Sequence, residues 1–436
     1  MTNQAESINP ARNFASMLDI KIIRENPELV KTNCANKNDG SNIDLLLELD
    51  VRRRTIIQTV EDLKSTRNTV SQEISMIKKQ GGDASDKILA MREVGDRIKD
   101  LDEELRNLEV EISDIMLMIP NIAHPSVPIG KDANDNVEVR RSGTCGDRAH
   151  RVDHIEISQR LGILDFERGA KVTGSGFGFY VGKGARLERA LINFFLDTNT
   201  NENGFTEIMT PFVVNSDSCR GTGQLPKSQE DMYHIPSDDL YLIPTAEVPI
   251  TNFHRDEILP SSTLPIYYAG YSACFRREAG SHGKETRGFQ RVHQFNKVEL
   301  VKFVQAESSY DELESLVGSV ERILQKLGLT YRVLLLCTGD MTFGGSKTYD
   351  LEVWSPYEQR WLEVSSCTNF ESFQARRANI RHRQDPGSKP EFVHTLNGSG
   401  LATSRIMVAL LEQYQTPDGR ILIPECLQQY CGFSEI

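Results

Sequence analysis

Between Phe275 and Glu299 the chain reads FRREAGSHGKETRGFQRVHQFNKVE. Arg276, Arg277, Lys284, Arg287, Arg291 and Lys297 crowd into this stretch. Cations at that spacing repel one another unless an anion lies among them. Phe275–Glu278 is expected to be strand, with alternation placing Arg276 and Glu278 on one face. A guanidinium held there can grip a phosphate through two hydrogen bonds, and a neighbouring carboxylate can accept from an exocyclic amine. The loop 279–288 has glycines at 280, 283 and 288 and suits a cationic cover over a triphosphate or an RNA end. From Val292 to Glu299 the pattern alternates again, so Phe295 and Glu299 share a face. Read alone, the stretch is equally well explained as an exposed basic hairpin with Phe295 in the core.

Two other stretches offer matching chemistry. Asn397-Gly398-Ser399-Gly400-Leu401-Ala402-Thr403-Ser404-Arg405 precedes an apolar helix, Ile406–Tyr414, with Arg405 entering its first turn. Glycines let backbone approach a ligand, and a helix start attracts anions. A plain turn and helix cap is the alternative. Glu363-Val364-Ser365-Ser366 is expected to end a strand, where Glu363 and Ser366 present the hard oxygens that Mg2+ prefers. An ordinary strand end is the alternative there.

These residues need rigid elements to hold them, and the rest of the chain supplies two kinds. Ile57, Val60, Leu63, Arg67, Val70, Ile74 and Ile77 step by three or four. After Gln80-Gly81-Gly82-Asp83 the stepping resumes as a heptad seam from Ile88 through Ile98, Leu101, Leu105, Leu108 and Ile112 to Ile115. The pattern predicts an antiparallel helical hairpin with arms of roughly 45 Å. Its first helix is basic and its second acidic, which fits an RNA-contacting arm or a dimerisation device. Pro120, Pro125 and Pro128 stop helix and mark a linker. Beyond Val137, helical patterns near 185–198 and 308–327 mix with strand-like runs at 297–304, 331–337, 349–354 and 361–364. This predicts an α+β domain, an antiparallel sheet flanked by helices. The domains expected are 17–125 for the arm and 135–436 for the sheet, with 1–16 a disordered extension.

At 436 residues the chain is long enough for more than one core. A net charge of -12 argues against attraction of the whole protein to nucleic acid or an anionic membrane, so an anion site must be local. No apolar run is long enough to span a membrane. The eight cysteines contain no CxxC pair, which fits a reducing cytoplasm and suggests neither zinc nor a disulfide framework.

Taken together, F-R-x-E and a distant G-x-G followed by Arg resemble the signature pair of class II aminoacyl-tRNA synthetases. Thr245-Ala246-Glu247, the 275–299 stretch, Lys347–Trp354, Ser366–Phe370 with Gln374-Ala375-Arg376-Arg377, and His394–Ala402 narrow the likeness to seryl-tRNA synthetases of the bacterial type. The resemblance runs from Met17 to the C-terminus, hairpin included.

It implies a cytoplasmic serine–tRNA ligase that is a homodimer, with Gly204–Pro211 similar to the class II interface motif. Its hairpin would embrace tRNA(Ser), and tRNA(Sec) would be a second acceptor. Arg276 would contact the ATP α-phosphate, Glu278 the adenine amine, and Phe295 would stack on the purine. Arg405 would reach the γ-phosphate. Arg277, Val292, Val364 and Ser365 would complete the ATP site, and Glu363 and Ser366 would serve Mg2+. Thr245, Ala246, Glu247, Arg276, Glu299 and Ser399 would surround serine. The chain departs from the family pattern at Ser404, usually Gly, and over 341–346. An adenylating relative that loads another acceptor is disfavoured by the intact hairpin. A catalytically dead paralogue is disfavoured by the full set of matched residues.

Overall fold

The computed structural model describes residues 18–279 and 288–436. The expectation for residues 1–16 and the cations Lys284 and Arg287 lie outside these residues. The chain divides into two compact units, 18–35 with 39–119, and 36–38 with 120–436.

The first unit is dominated by two long helices, α1 (Ile43–Lys79) and α2 (Ser85–Met118). Asn42 caps α1 by accepting from the Leu45 N–H at 3.0 Å. A turn at Gly81, with φ of 74°, reverses the chain. Leu46, Leu49, Ile56 and Val60 of α1 and Ile98, Leu101, Leu108, Ile112 and Met116 of α2 are buried. The seam thins toward the turn, where Ile88 and Met76 are exposed. Salt bridges lace the helices together: Arg52 with Glu104 at 2.6 Å, Arg53 with Glu109 at 3.3 Å, Lys64 with Asp102 at 3.5 Å and Lys87 with Glu73 at 2.5 Å. In three of these bridges acids of α2 answer bases of α1, and in the fourth Glu73 of α1 answers Lys87 of α2, so Arg52, Arg53 and Lys64 are not part of a free basic face.

The second unit is built on an eight-stranded sheet. Its strands in chain order are β1 (Val137–Ser142), β2 (Thr206–Glu207), β3 (Ile266–Phe275), β4 (Gln294–Val304), β5 (Tyr331–Leu335), β6 (Lys347–Ser355), β7 (Arg360–Asn369) and β8 (His394–Ala402). They lie in the order β1-β5-β6-β7-β8-β4-β3-β2. Every neighbouring pair is antiparallel except β2 with β3, which is parallel, so the sheet is mixed at one edge. Helices α3 (Lys183–Glu202), α4 (Ser309–Lys326) and α5 (Thr403–Gln413) pack on it through Leu187, Leu191, Leu316, Val320, Ile323, Met407 and Leu410, all at most 1% exposed. Burial on that scale is worth about 1.5–3 kcal/mol per large apolar side chain. It makes the sheet a rigid floor for the residues above it. No helix among the described residues is long and apolar enough to cross a membrane.

Two local expectations, and one alternative reading, are corrected. Strand β3 ends at Phe275, so Arg276, Arg277 and Glu278 do not share its alternation; Glu278 turns away with φ of 52°. Glu363–Ser366 does not end a strand but lies inside β7, which pairs with β6 on one side and β8 on the other. The alternative of a turn at Gly398 and Gly400 does not hold, since both lie inside β8. A Cβ on Gly398 would sit 2.7 Å from the Cys367 sulfur of β7, so this glycine serves close strand packing.

Candidate active site

The β3–β4 hairpin sets the frame, with Phe275 opposite Gln294 and Gly270 opposite Glu299. Beside it opens a cavity of about 650 Å3 whose lining includes Thr245, Glu247, Arg276, Glu278, Arg291 and Phe343.

At one end of the site, carboxylates gather. Strand β4 presents Lys297 and Glu299, both buried, and the short helix Glu247–Asn252 presents Glu247 in its first turn. Thr245 donates its hydroxyl to Glu299 Oε2 at 3.0 Å and accepts from Lys297 Nζ at 2.8 Å. Gln374 donates to Glu247 Oε1 at 2.6 Å and is itself held by the Thr395 hydroxyl at 2.8 Å. Burial, helped by the nearby Glu299 charge, pushes Glu247 up to about 7; Lys297, Gln374 and Asn397 act in the opposite direction. Ser399 stands opposite Glu299 in the β4–β8 ladder, and its carbonyl accepts from the Ser365 hydroxyl at 2.7 Å. Ala246 is fully buried beneath this group. Glu247 and the Thr245 hydroxyl line the cavity, with Glu299 buried behind Thr245; carboxylates and a hydroxyl so placed suit a small zwitterion with a cationic amine and a polar side chain.

The cationic part lies along residues 276–279 and 288–292. The Arg276 guanidinium is 5.2 Å from the centre of the Phe295 ring and donates to the Pro244 carbonyl at 3.4 Å. Glu278 pairs with Arg291, while Val292 is buried. Gly288 has φ of 63°, and a Cβ there would strike the buried His154 ring. His154 in turn faces the fully buried Glu412 of α5 at 3.5 Å.

A third group comes from β6, β7 and α5. Arg405, in the first turn of α5, donates to the Gln290 carbonyl at 3.0 Å and to the Glu363 carbonyl at 2.5 Å, with the Glu363 carboxylate 3.5 Å away. Ser366 donates to Asp350 Oδ1 at 2.5 Å. Burial, reinforced by Glu363 and Glu352, holds the Asp350 carboxyl well above the usual range. Glu363 and Ser366 offer oxygens of the hard kind that Mg2+ prefers, while no three His, Cys, Asp or Glu side chains among the described residues gather into a metal-holding group. Val364 and Ser365 are buried on the same strand. The expected residues thus fall into three groups, and 290–291 bridges the second and third, where Arg405 grips Gln290 and the adjoining Arg291 lines the cavity.

Residues 17–123 match the family described as Seryl-tRNA synthetase N-terminal domain, and residues 232–414 match the tRNA synthetase class II core domain (G, H, P, S and T). The serine–tRNA ligase of Chlorobium phaeovibrioides is 57% identical over 429 residues, covering 96% of this chain and 99% of that protein. The chain belongs to the seryl-tRNA synthetase family. The serine–tRNA ligase of Geobacillus kaustophilus is 58% identical over 96% of this chain and its own full length. Among solved structures, the seryl-tRNA synthetase of Pyrococcus horikoshii complexed with ATP has a TM-score of 0.92 at 39% identity, covering 96% of this chain and 99% of that one. Membership in this family accounts for both units, the helical hairpin and the class II sheet.

Some members of the site carried no assignment from sequence. Gln374 and Asp350 lie inside segments already matched to seryl-tRNA synthetases, so a signal for them was present. Lys297 counted only as one more cation, and its pairing with Glu299 depends on a same-face spacing of two in β4. Asn397 had the same signal, within His394–Ala402, whereas Asp231 and Phe343 had none, because only the fold brings them to the site.

Proposed function

We propose that this serine–tRNA ligase activates serine with ATP in the cavity above β4 and then transfers the seryl group to the 3′ end of tRNA(Ser). The observation that supports this best is the close set Thr245, Lys297, Glu299, Glu247 and Gln374 beside Arg276. Anionic groups await an amine and hydroxyl next to a cation that awaits a phosphate.

The serine carboxylate oxygen attacks the α-phosphorus. The bond to the bridging oxygen breaks, and pyrophosphate leaves with the electron pair. Arg276 neutralises charge at the α-phosphate and Arg405 at the γ-phosphate. Glu278 accepts from the adenine amine, Phe295 stacks on the purine, and Arg277, Val292, Val364 and Ser365 complete the nucleotide pocket. Glu363 and Ser366, with Asp350 behind Ser366, would hold Mg2+, which supplies charge neutralisation to the polyphosphate. Thr245, Ala246, Glu247, Glu299 and Ser399 enclose serine. A terminal ribose hydroxyl of the tRNA then attacks the seryl carbonyl, and AMP departs. A site that hydrogen-bonds the serine hydroxyl rejects alanine because buried polar groups would be left unpaired.

In this reading residues 17–125 form the tRNA-binding unit and 135–436 the catalytic one. The enzyme is a cytoplasmic homodimer, and tRNA(Sec) is a second acceptor; a seryl-tRNA synthetase of M. kandleri has been crystallised with such a tRNA. Charging of tRNA(Ser) by the purified protein, with labelled serine, alanine and threonine compared, tests the function. Charging with serine alone is expected, and no charging would overturn it.

A further inference from the structure

Glu278 lies at the point where the chain leaves β3, in a left-handed conformation with φ of 52° that L side chains rarely adopt. Such a conformation persists only where the surroundings over-determine it. Here one residue holds both flanking amides. The Asp231 carbonyl accepts the Arg277 N–H at 2.8 Å, and Asp231 Oδ1 accepts the Ala279 N–H at 2.8 Å. Asp231 ends the short 3-10 turn Gln229–Asp231. The next residue, Met232, is 2% exposed and packs with Cys219, Ile243 and Val248. The clamp therefore stands on a buried apolar anchor, not on a free loop. Its effect is to aim the Glu278 carboxylate toward Arg291 within the cavity that Asp231 itself lines.

We infer that Asp231 is a positioning residue for nucleotide selection. By fixing the backbone on both sides of Glu278, it sets the carboxylate that distinguishes an exocyclic amine, as in adenine, from a carbonyl, as in guanine. This rests on the proposed role of Glu278. Asp231 touches no reacting atom.

The test is serine-dependent pyrophosphate exchange with ATP and with GTP for the full-length Asp231→Ala, Asp231→Asn and Glu278→Ala variants. Asp231→Ala is expected to raise the ATP KM about tenfold and to lower the ATP-over-GTP preference in kcat/KM by a similar factor, the scale of one lost hydrogen bond to a strained segment. The serine KM should stay within about twofold. Asp231→Asn keeps an acceptor oxygen and should restore both ATP values. A merely structural loss would lower the active fraction and leave KM and preference unchanged. If Asp231→Ala is insoluble, Asp231→Ser replaces it, since a shorter side chain loses the reach. Unchanged preference in the Asp231 variant with relaxed preference in Glu278→Ala overturns the positioning role. Unchanged preference in both overturns the adenine role of Glu278. The ATP KM then decides Asp231 alone: a rise supports the clamp, and no rise refutes it.

Discussion

Lys297 Nζ lies 2.5 Å from Glu299 Oε2, with side-chain exposures of 7% and 2%. The pair is buried behind Thr245, which lines the cavity, and in the proposed reading it holds the carboxylate in place for the substrate ammonium. Removing one partner of such a pair costs about 3–5 kcal/mol, because the other charge stays buried. Lys297→Met should therefore lower the urea unfolding free energy by about 3 kcal/mol, with saturating serine recovering part of the loss. Stability equal to wild type would mean that Glu299 does not depend on Lys297.

Glu247 gives the site a pH dependence. With its carboxyl pushed up to about 7, the folded chain keeps a proton there that the unfolded chain has released above the ordinary carboxylate range. Its contribution to stability therefore falls as pH rises through that window. Serine needs the anion, whether Glu247 meets the ammonium or accepts from the hydroxyl. The serine KM should fall several-fold between pH 6 and pH 8, with its midpoint near 7. Glu247→Gln should abolish the slope, and a flat wild-type profile would contradict the assignment.

The edge of the sheet bears on assembly. Met209, just after β2, is 88% exposed, an unusual state for a large apolar side chain in a segment similar to the class II interface motif. Light scattering at micromolar concentration should give a dimer, and Met209→Asp should shift it toward monomer. A monomeric, fully active wild type would contradict this.

The hairpin should be separable. Replacing residues 55–115 with a short linker is expected to leave pyrophosphate exchange within about threefold while charging of tRNA(Ser) collapses, since most tRNA affinity comes from backbone phosphates and falls with salt. Because Arg53 and Lys64 already pair with α2 acids, their phosphate contacts would compete with those bridges. Charging that survives the replacement would return the hairpin to a dimerisation role.

The period of a sequence shows in its local chemistry, whereas its pairing partners do not. The seam of α1 and α2 and the alternation of β4 were legible because each follows one helix or strand face. The end of β3 was not, because the left-handed turn at Glu278 is imposed by Asp231, 47 positions earlier in the chain. A turn at Gly398 and Gly400 stood as an alternative because glycine marks both turns and close strand approach, and the Cys367 sulfur of β7 decides for the latter at Gly398. Local pattern already made Arg276 and Arg405 candidate anion ligands, and the resemblance to seryl-tRNA synthetases narrowed those anions to the α- and γ-phosphates of ATP. The acids on α2 were visible, but their partners on α1 depended on the register of the hairpin.

Serine-dependent ATP–pyrophosphate exchange by wild type and Arg276→Ala tests the central claim most directly. Arg276 stands beside Phe295 at the mouth of the serine pocket, where the α-phosphate must lie if serine is activated there. The wild type should exchange with serine and fail with alanine. Arg276→Ala should lose at least ~10²-fold, the scale of one preorganised charge at a transition state. Near-normal exchange in that variant would contradict the account.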